Sequence, residues 1–306
     1  MNLPPWLVNA VLRVFVRWPL GRIKTPQALR ERFERDARFM FRDPEGAKFN
    51  RHQIRREDGS LMPALWASRG RPDRQKVVLY LHGGAYLAGS PNTHRHLAAQ
   101  LAGAAGVRCL LPDYRLAPEA PFPAAVEDAL TAYRHLLESV VPRHIAIAGD
   151  SAGGGLVFGL LLRSQAEGLP MPAATVAFSP FADLTLTADS LRRNARREVM
   201  LPAQRAQEAV DYYLAGHDPF DPLASPVFGE FDAPPPALIM ASTTEILSDH
   251  AKMLAKKLRE AGGDVQLEMW PGLPHAWPIL LGKLKAAETA VSTAGRFIAA
   301  QLSQEC

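Results

Sequence analysis

The stretch "IAIAGDSAGGGLVFG", Ile145 to Gly159, passes from an alternating apolar run straight into a helical periodicity. Only Gly149-Asp150-Ser151-Ala152-Gly153 lies between, which predicts a strand, a sharp turn and a helix. A chain that turns this sharply brings backbones close together. A side chain at Gly149 or Gly153 would strike the neighbouring strand or helix.

Outward from this unit, short apolar runs alternate with longer helical patterns from Lys76 onward, the signature of a mainly parallel sheet with crossover helices. The expected strands are "KVVLYL" from Lys76, "VRCLLP" from Val107, "HIAIAG" from His144, "ATVAFS" from Ala174, "ALIMAS" from Ala237 and "VQLEMW" from Val265. Their continuous apolar character suits burial on both faces. Helices are expected over Thr93–Gly103, Pro123–Ser139, Ala152–Glu167, Asp249–Ala261 and Lys283–Leu302. Phe49–Arg56 and Met62–Ser68 are expected as antiparallel edge strands. Phe181–Pro236 breaks the alternation with polar helical stretches (Leu191–Arg197, Pro202–Ala215) and a proline-rich return. An insertion there, on the side where loops gather, reads as a cap.

Composition excludes several classes. With 47% apolar and 22% charged residues over 306 positions, the chain fits a soluble globular protein with a full core rather than a disordered or membrane-bundle protein. The net charge of +4 is scattered among Asp and Glu, and the basic clusters are short, so no nucleic-acid partner is expected. Cys109 and Cys306 are the two cysteines. They make no disulfide framework and no metal-ligand spacing, and they fit a reducing, cytoplasmic setting. From Trp6 to Trp18 the pattern is an amphipathic helix, but Arg13 and Arg17 interrupt it. It is too broken for a signal peptide or a stable membrane insertion. It is expected to cover the protein's own surface or pocket, with peripheral contact to a membrane interface as the alternative.

Ser151, perched on the turn, is a candidate nucleophile, because the N–H groups of the following helix favour negative charge at the same place. A serine hydroxyl needs a base, and of nine histidines His275 lies where that base belongs, just past the last strand. His52, His94, His96, His135, His144, His217 and His250 read as structural or solvated, and His82 as a brace for its loop. The acid that orients the imidazole is Glu245 or Asp249, both after the strand from Ala237. Asp249 stands where a helix begins and a carboxylate would cap free N–H groups, which assigns Glu245 to the base. "HGGAYLAGS", His82 to Ser90, is too bare to pack a core. Its backbone, through Gly83 and Gly84 with Ala152 across the turn, is expected to hold an oxyanion.

These motifs, with "DYRLAPEAPFPAAVEDA" (Asp113–Ala129), "DPLASP" (Asp221–Pro226), "TEILSDHAKMLAKKL" (Thr244–Leu258) and "GLPHAW" (Gly272–Trp277), run in one order over nearly everything after Lys76. The chain resembles the hormone-sensitive-lipase-like family of α/β-hydrolase serine esterases, in the subgroup with a G-D-S-A-G elbow. Ala85 stands where the family usually has the third glycine of H-G-G-G, and Glu245 where many relatives carry Asp. The resemblance implies an α/β-hydrolase fold over 46–180 and 237–306, with a cap from N-terminal helices in 1–45 and the insertion 181–236. It implies a Ser151-His275-Glu245 carboxylesterase that needs no cofactor or metal and acts on small short-to-medium acyl esters. It leaves a homodimer as an open expectation. Acetylated sugars or drugs, lactones and amides are open to the same chemistry. A ligand receptor without catalysis is disfavoured, because both Ser151 and His275 are present.

Overall fold

All six apolar runs become strands in the computed structural model, which describes residues 3–304. With two strands before them they form one eight-stranded sheet in the order β1-β2-β4-β3-β5-β6-β7-β8. β1 (Ala47–Arg55) and β2 (Leu61–Arg69) make the antiparallel edge, and β2 also pairs antiparallel with β4 (Val107–Pro112). β3 (Asp73–Leu81), β5 (Ile145–Asp150), β6 (Ala174–Phe178), β7 (Ala237–Ser242) and β8 (Val265–Trp270) continue in parallel from β4. Cys109 is buried in β4, whereas Cys306 lies outside the described residues.

The side-chain alternation of the central strands divides the core into two layers. On one face Val77, Leu79, Leu81, Ile145, Ile147 and Ile239 pack against α5 (Ala124–Leu137), α6 (Ala152–Ala166) and α9 (Ser248–Glu260). On the other face Val78, Tyr80, Ala146, Val176 and Met240 pack against α4 (Pro91–Ala105) and α10 (Lys285–Gln301). Strands covered on both sides read as unbroken apolar runs for this reason. α4 starts where its sequence dictates: Ser90 caps the N–H groups of Asn92 and Thr93, Thr93 bonds back to the Ser90 N–H, and Pro91 occupies the first helical position.

Two further segments lie over the carboxyl ends of the parallel strands. The first is α1 (Pro5–Leu12), which continues through a π-type segment (Arg13–Arg17) into α2 (Trp18–Leu20) and is followed by α3 (Pro26–Met40). The second follows β6 and contains α7 (Asp189–Arg193) and α8 (Ala206–Leu214). Arginines join them. Arg17 donates to the carbonyls of Glu198 (2.9 Å) and Ala195 (2.7 Å), and Arg205 donates to that of Ile23 (2.6 Å). No helix among the described residues is long and apolar enough to cross a membrane.

Candidate active site

Ser151 begins where β5 ends, with φ 53° and ψ −119°, a conformation that side chains rarely adopt and that surrounding structure must hold in place. Its N–H donates to Phe178 O on β6, and its carbonyl accepts the N–H groups of Gly155 and Phe181. The flanking glycine is obligatory: a Cβ on Gly153 would stand 2.0 Å from Leu81 O. The turn thereby presents the Ser151 hydroxyl at the head of α6, whose first N–H groups have no intrahelical acceptor.

The loops after β7 and β8 bring the other two side chains to that hydroxyl. His275 Nε2 lies 2.8 Å from Ser151 Oγ, and His275 Nδ1 lies 2.7 Å from Glu245 Oε2. The second Glu245 oxygen accepts the Ser242 N–H at 2.9 Å. This fixes the tautomer: with a carboxylate at Nδ1, that nitrogen carries the proton and Nε2 is free to accept from the serine. The histidine loop is pinned as well. Ser242 Oγ donates to Leu273 O (2.6 Å), and the Ala276 N–H donates to Ser179 Oγ (3.0 Å). Burial pushes the His275 imidazole down, but the hydrogen bond and charge of Glu245, with the charges of Glu198 and Asp150, outweigh it and hold the pKa above the ordinary value of 6.5.

Asp249 is elsewhere. It lies in the first turn of α9, but its carboxylate does not cap that helix. It accepts the Ser190 N–H at 3.0 Å and pairs with Arg193 (2.9 Å) and Lys252 (3.0 Å). The expected helix cap is corrected to a tie between α9 and α7, because Ser190 engages Asp249 twice: its N–H donates to the carboxylate, and its Oγ accepts the Asp249 N–H at 3.2 Å.

The glycine loop also departs from expectation. Gly83 donates its N–H to Asp150 Oδ1 at 3.1 Å, and a Cβ there would stand 2.2 Å from Asp150 Oδ2. Gly83 is therefore glycine to let Asp150 in, and its donor is spent on that carboxylate rather than free for an oxyanion. The next two N–H groups, of Gly84 and Ala85, have no acceptor among the described residues. Ala85 has φ 56°, a left-handed conformation that glycine occupies at lower cost.

Three buried groups carry no obvious mark in the sequence. Asp150, inside the elbow itself, accepts from Tyr80 Oη (2.9 Å) and Gly83, and His94 Nε2 approaches it to 3.4 Å. Burial pushes its pKa up, but His94 and Tyr80 outweigh this and hold it below the ordinary value. Glu198 lies on the irregular stretch between α7 and α8. One of its oxygens accepts the N–H groups of Val199, Met200 and Leu201, and the other accepts that of Ile246 at 3.2 Å, next to Glu245. Burial raises its pKa. The third is His94 itself, which with His96 and His250 is buried. His96 donates to Ile279 O, and His250 accepts from Ala182 and Asp183. Their roles are structural. His82 is fully buried and stacks on Tyr114, its Nδ1 lies 3.0 Å from Gly83 O, and burial with neighbouring His94 pushes its pKa to about 3. It braces the loop as a neutral ring.

Above the serine is a cavity of about 270 Å³. Gly84, Ser151 and His275 form its floor; Leu12, Val16, Leu29 and Phe33 from the N-terminal segment, with Met200 and Tyr212 from the insertion, supply much of its wall. The wall is mostly apolar. Among the described residues no group of three or more His, Cys, Asp or Glu side chains converges as metal ligands.

Comparison with known proteins finds relatives of the same fold. Residues 78–279 match a family model described as the alpha/beta hydrolase fold. An acetyl-hydrolase of Streptomyces hygroscopicus is 44% identical over 231 residues, spanning 74% of this chain and 77% of that protein. A solved structure of an esterase from the bacterial hormone-sensitive lipase family superposes with a TM-score of 0.90 at 36% identity, covering 99% of this chain and 100% of the other. The structure of EstE5 soaked with p-nitrophenyl butyrate superposes with a TM-score of 0.91 at 35% identity, covering 98% and 99%.

Proposed function

We propose a catalytic cycle for Ser151, His275 and Glu245 from one premise: this chain belongs to the hormone-sensitive-lipase family of α/β-hydrolase esterases and is a carboxylic ester hydrolase. The observation that carries the assignment is the unbroken hydrogen-bond line from Ser151 Oγ through both nitrogens of His275 to Glu245.

His275 Nε2 takes the Ser151 proton as Oγ attacks the ester carbonyl. The carbonyl oxygen becomes an oxyanion, held by the N–H groups of Gly84, Ala85 and Ala152. Glu245 stabilises the imidazolium and keeps the ring in place. The C–O bond breaks, the alcohol leaves with the proton from His275, and an acyl-serine remains. Water then attacks the acyl carbon, gives one proton to His275, and releases the carboxylic acid as that proton returns to Ser151. Asp150 holds the oxyanion loop through Gly83 and takes no part in proton transfer. Residues 1–45 and 181–236 act as the cap over a body of 46–180 and 237–306.

The apolar cavity under this cap favours acyl chains of short-to-medium length. The acetyl-hydrolase among the relatives and the butyrate ester soaked into EstE5 support the same range. Initial rates across p-nitrophenyl esters from acetate to palmitate test this. We expect a maximum at about C4 to C8, a range set by a pocket of modest volume, and its loss in Ser151→Ala. Equal or faster turnover of the palmitate ester would overturn the chain-length assignment.

A further inference from the structure

The outward side of the N-terminal helices takes no part in the cavity. Ten large apolar side chains are strongly exposed among the described residues, and six of them (Trp6, Val11, Val14, Phe15, Trp18 and Phe39) fall within the first 39 positions. Val11, Val14, Phe15 and Trp18 are spaced i, i+3, i+4, i+7 and share one helical stripe. The opposite stripe of the same helical run, Leu12, Val16 and Leu20, lines the cavity. A helix that only roofed a pocket would turn polar residues to water. This one is apolar on both sides, and a cluster of exposed apolar groups of this kind marks a contact surface.

Charge identifies the partner. Residues 1–42 hold nine Lys and Arg against three Asp and Glu, a net +6, whereas the rest of the chain sums to −2. In this segment Arg13, Arg22, Lys24, Arg35, Arg38 and Arg42 are exposed, and Glu31 is the one exposed acid. Lys24, Arg38 and Arg42 have no hydrogen-bond or ion-pair partner among the described residues. The Arg22 guanidinium lies 3.6 Å from the centre of the Trp18 ring, and Arg38 adjoins Phe39. Arg32 donates to Phe15 O at 2.9 Å and ties α3 to the apolar stripe, so the basic and apolar groups belong to one surface.

We propose that this face docks on an anionic lipid bilayer. Trp6, Phe15, Trp18 and Phe39 lie at the boundary of headgroups and acyl chains, and the unpaired cations meet acidic headgroups. A second copy of the chain is a poorer occupant, since a two-fold contact through this patch sets like charges against each other. Docking also places the lipid surface against the back of the helix whose front walls the cavity, where esters dissolved in a bilayer are concentrated. The inference stands on exposure and charge and does not depend on the catalytic assignments.

Co-sedimentation with vesicles tests it, using full-length wild type, Phe15→Ser/Trp18→Ser and Arg38→Glu/Arg42→Glu. None of these positions lines the cavity, so hydrolysis of soluble p-nitrophenyl butyrate reports that each variant is folded. We expect wild type to pellet with phosphatidylcholine vesicles containing 30% phosphatidylglycerol and to stay in solution with phosphatidylcholine alone. Each double variant is expected to lose partitioning on the order of tenfold or more, and added salt to weaken the wild type. Wild type that ignores both kinds of vesicle, or variants that bind as wild type does, would overturn the proposal. A wild-type dimer without lipid that becomes monomeric in the Phe15/Trp18 variant would overturn it in favour of a second copy.

Discussion

The floor of the cavity and its roof are held by different means. At the floor, Ser151 is fixed by three backbone hydrogen bonds, Glu245 by the Ser242 N–H, and the His275 loop by Ser179 and Ser242. Apart from the Gly155 N–H inside α6, each bond runs to a strand end or to the loop beside it. At the roof, the N-terminal helices and the insertion share apolar contacts and are tied by long arginine side chains that reach backbone carbonyls. The floor is tied to the ends of the sheet, whereas the roof is tied between two segments that lie outside it. Glu198 links the two: it binds Met200 and Leu201 of the roof to Ile246 beside Glu245.

The sharpest way to break this comparison is at the two carboxylates after β7. Glu245→Gln preserves shape but cannot hold the Nδ1 proton in the same way, and kcat is expected to fall by roughly 10⁴-fold with the fold intact. Asp249→Asn loses ties to Arg193 and Ser190 and is expected to change kcat by only a few-fold while lowering stability by about 1 kcal/mol. Steady-state kinetics with thermal melts decide between them, and comparable losses of kcat in both would erase the distinction between floor and roof. An intermediate effect is expected from Leu201→Trp, which fills the roof side of the cavity. Turnover of the octanoate ester should drop about 10- to 100-fold relative to acetate, and an equal fall for both esters would place Leu201 in the chemistry rather than in specificity.

The smallest effect tests the link. In the proposed cycle His275 must be neutral at Nε2 to act as base, so kcat/KM is expected to rise with pH through its pKa, which is held above the ordinary 6.5. Glu198 is one of the charges that hold it there. Glu198→Gln removes that charge, favours the neutral imidazole, and should move the rising limb to lower pH by a fraction of a unit. A limb that stays in place or moves upward would remove Glu198 from the electrostatics of the site.

What the sequence discloses follows the same division. Strands covered on both faces announce themselves as apolar runs, and G-x-S-x-G announces its own sterics, so β3 to β8 and the meeting of Ser151 with His275 at their loop ends are legible. That Glu245 and not Asp249 lies against His275 is legible because Asp249 stands at a helix start, although it serves another helix than the one it begins. The donors of the glycine loop are not legible by one residue. Which N–H faces the cavity depends on Asp150 reaching across from another strand to take that of Gly83, a contact between positions 67 residues apart. Glu198 leaves no periodic trace, because it caps an irregular segment. The insertion helices are shorter than their polar patterns suggest, five residues in α7 and nine in α8, since packing sets their length rather than propensity.

The most direct measurement of the central claim is the intact mass and peptide map of the protein after reaction with a p-nitrophenyl alkylphosphonate, which traps a nucleophilic serine. One phosphonyl adduct is expected, on the peptide containing Ser151, formed rapidly by wild type, far more slowly by His275→Ala and not at all by Ser151→Ala. An adduct on another residue, or equal labelling of Ser151→Ala, would contradict it.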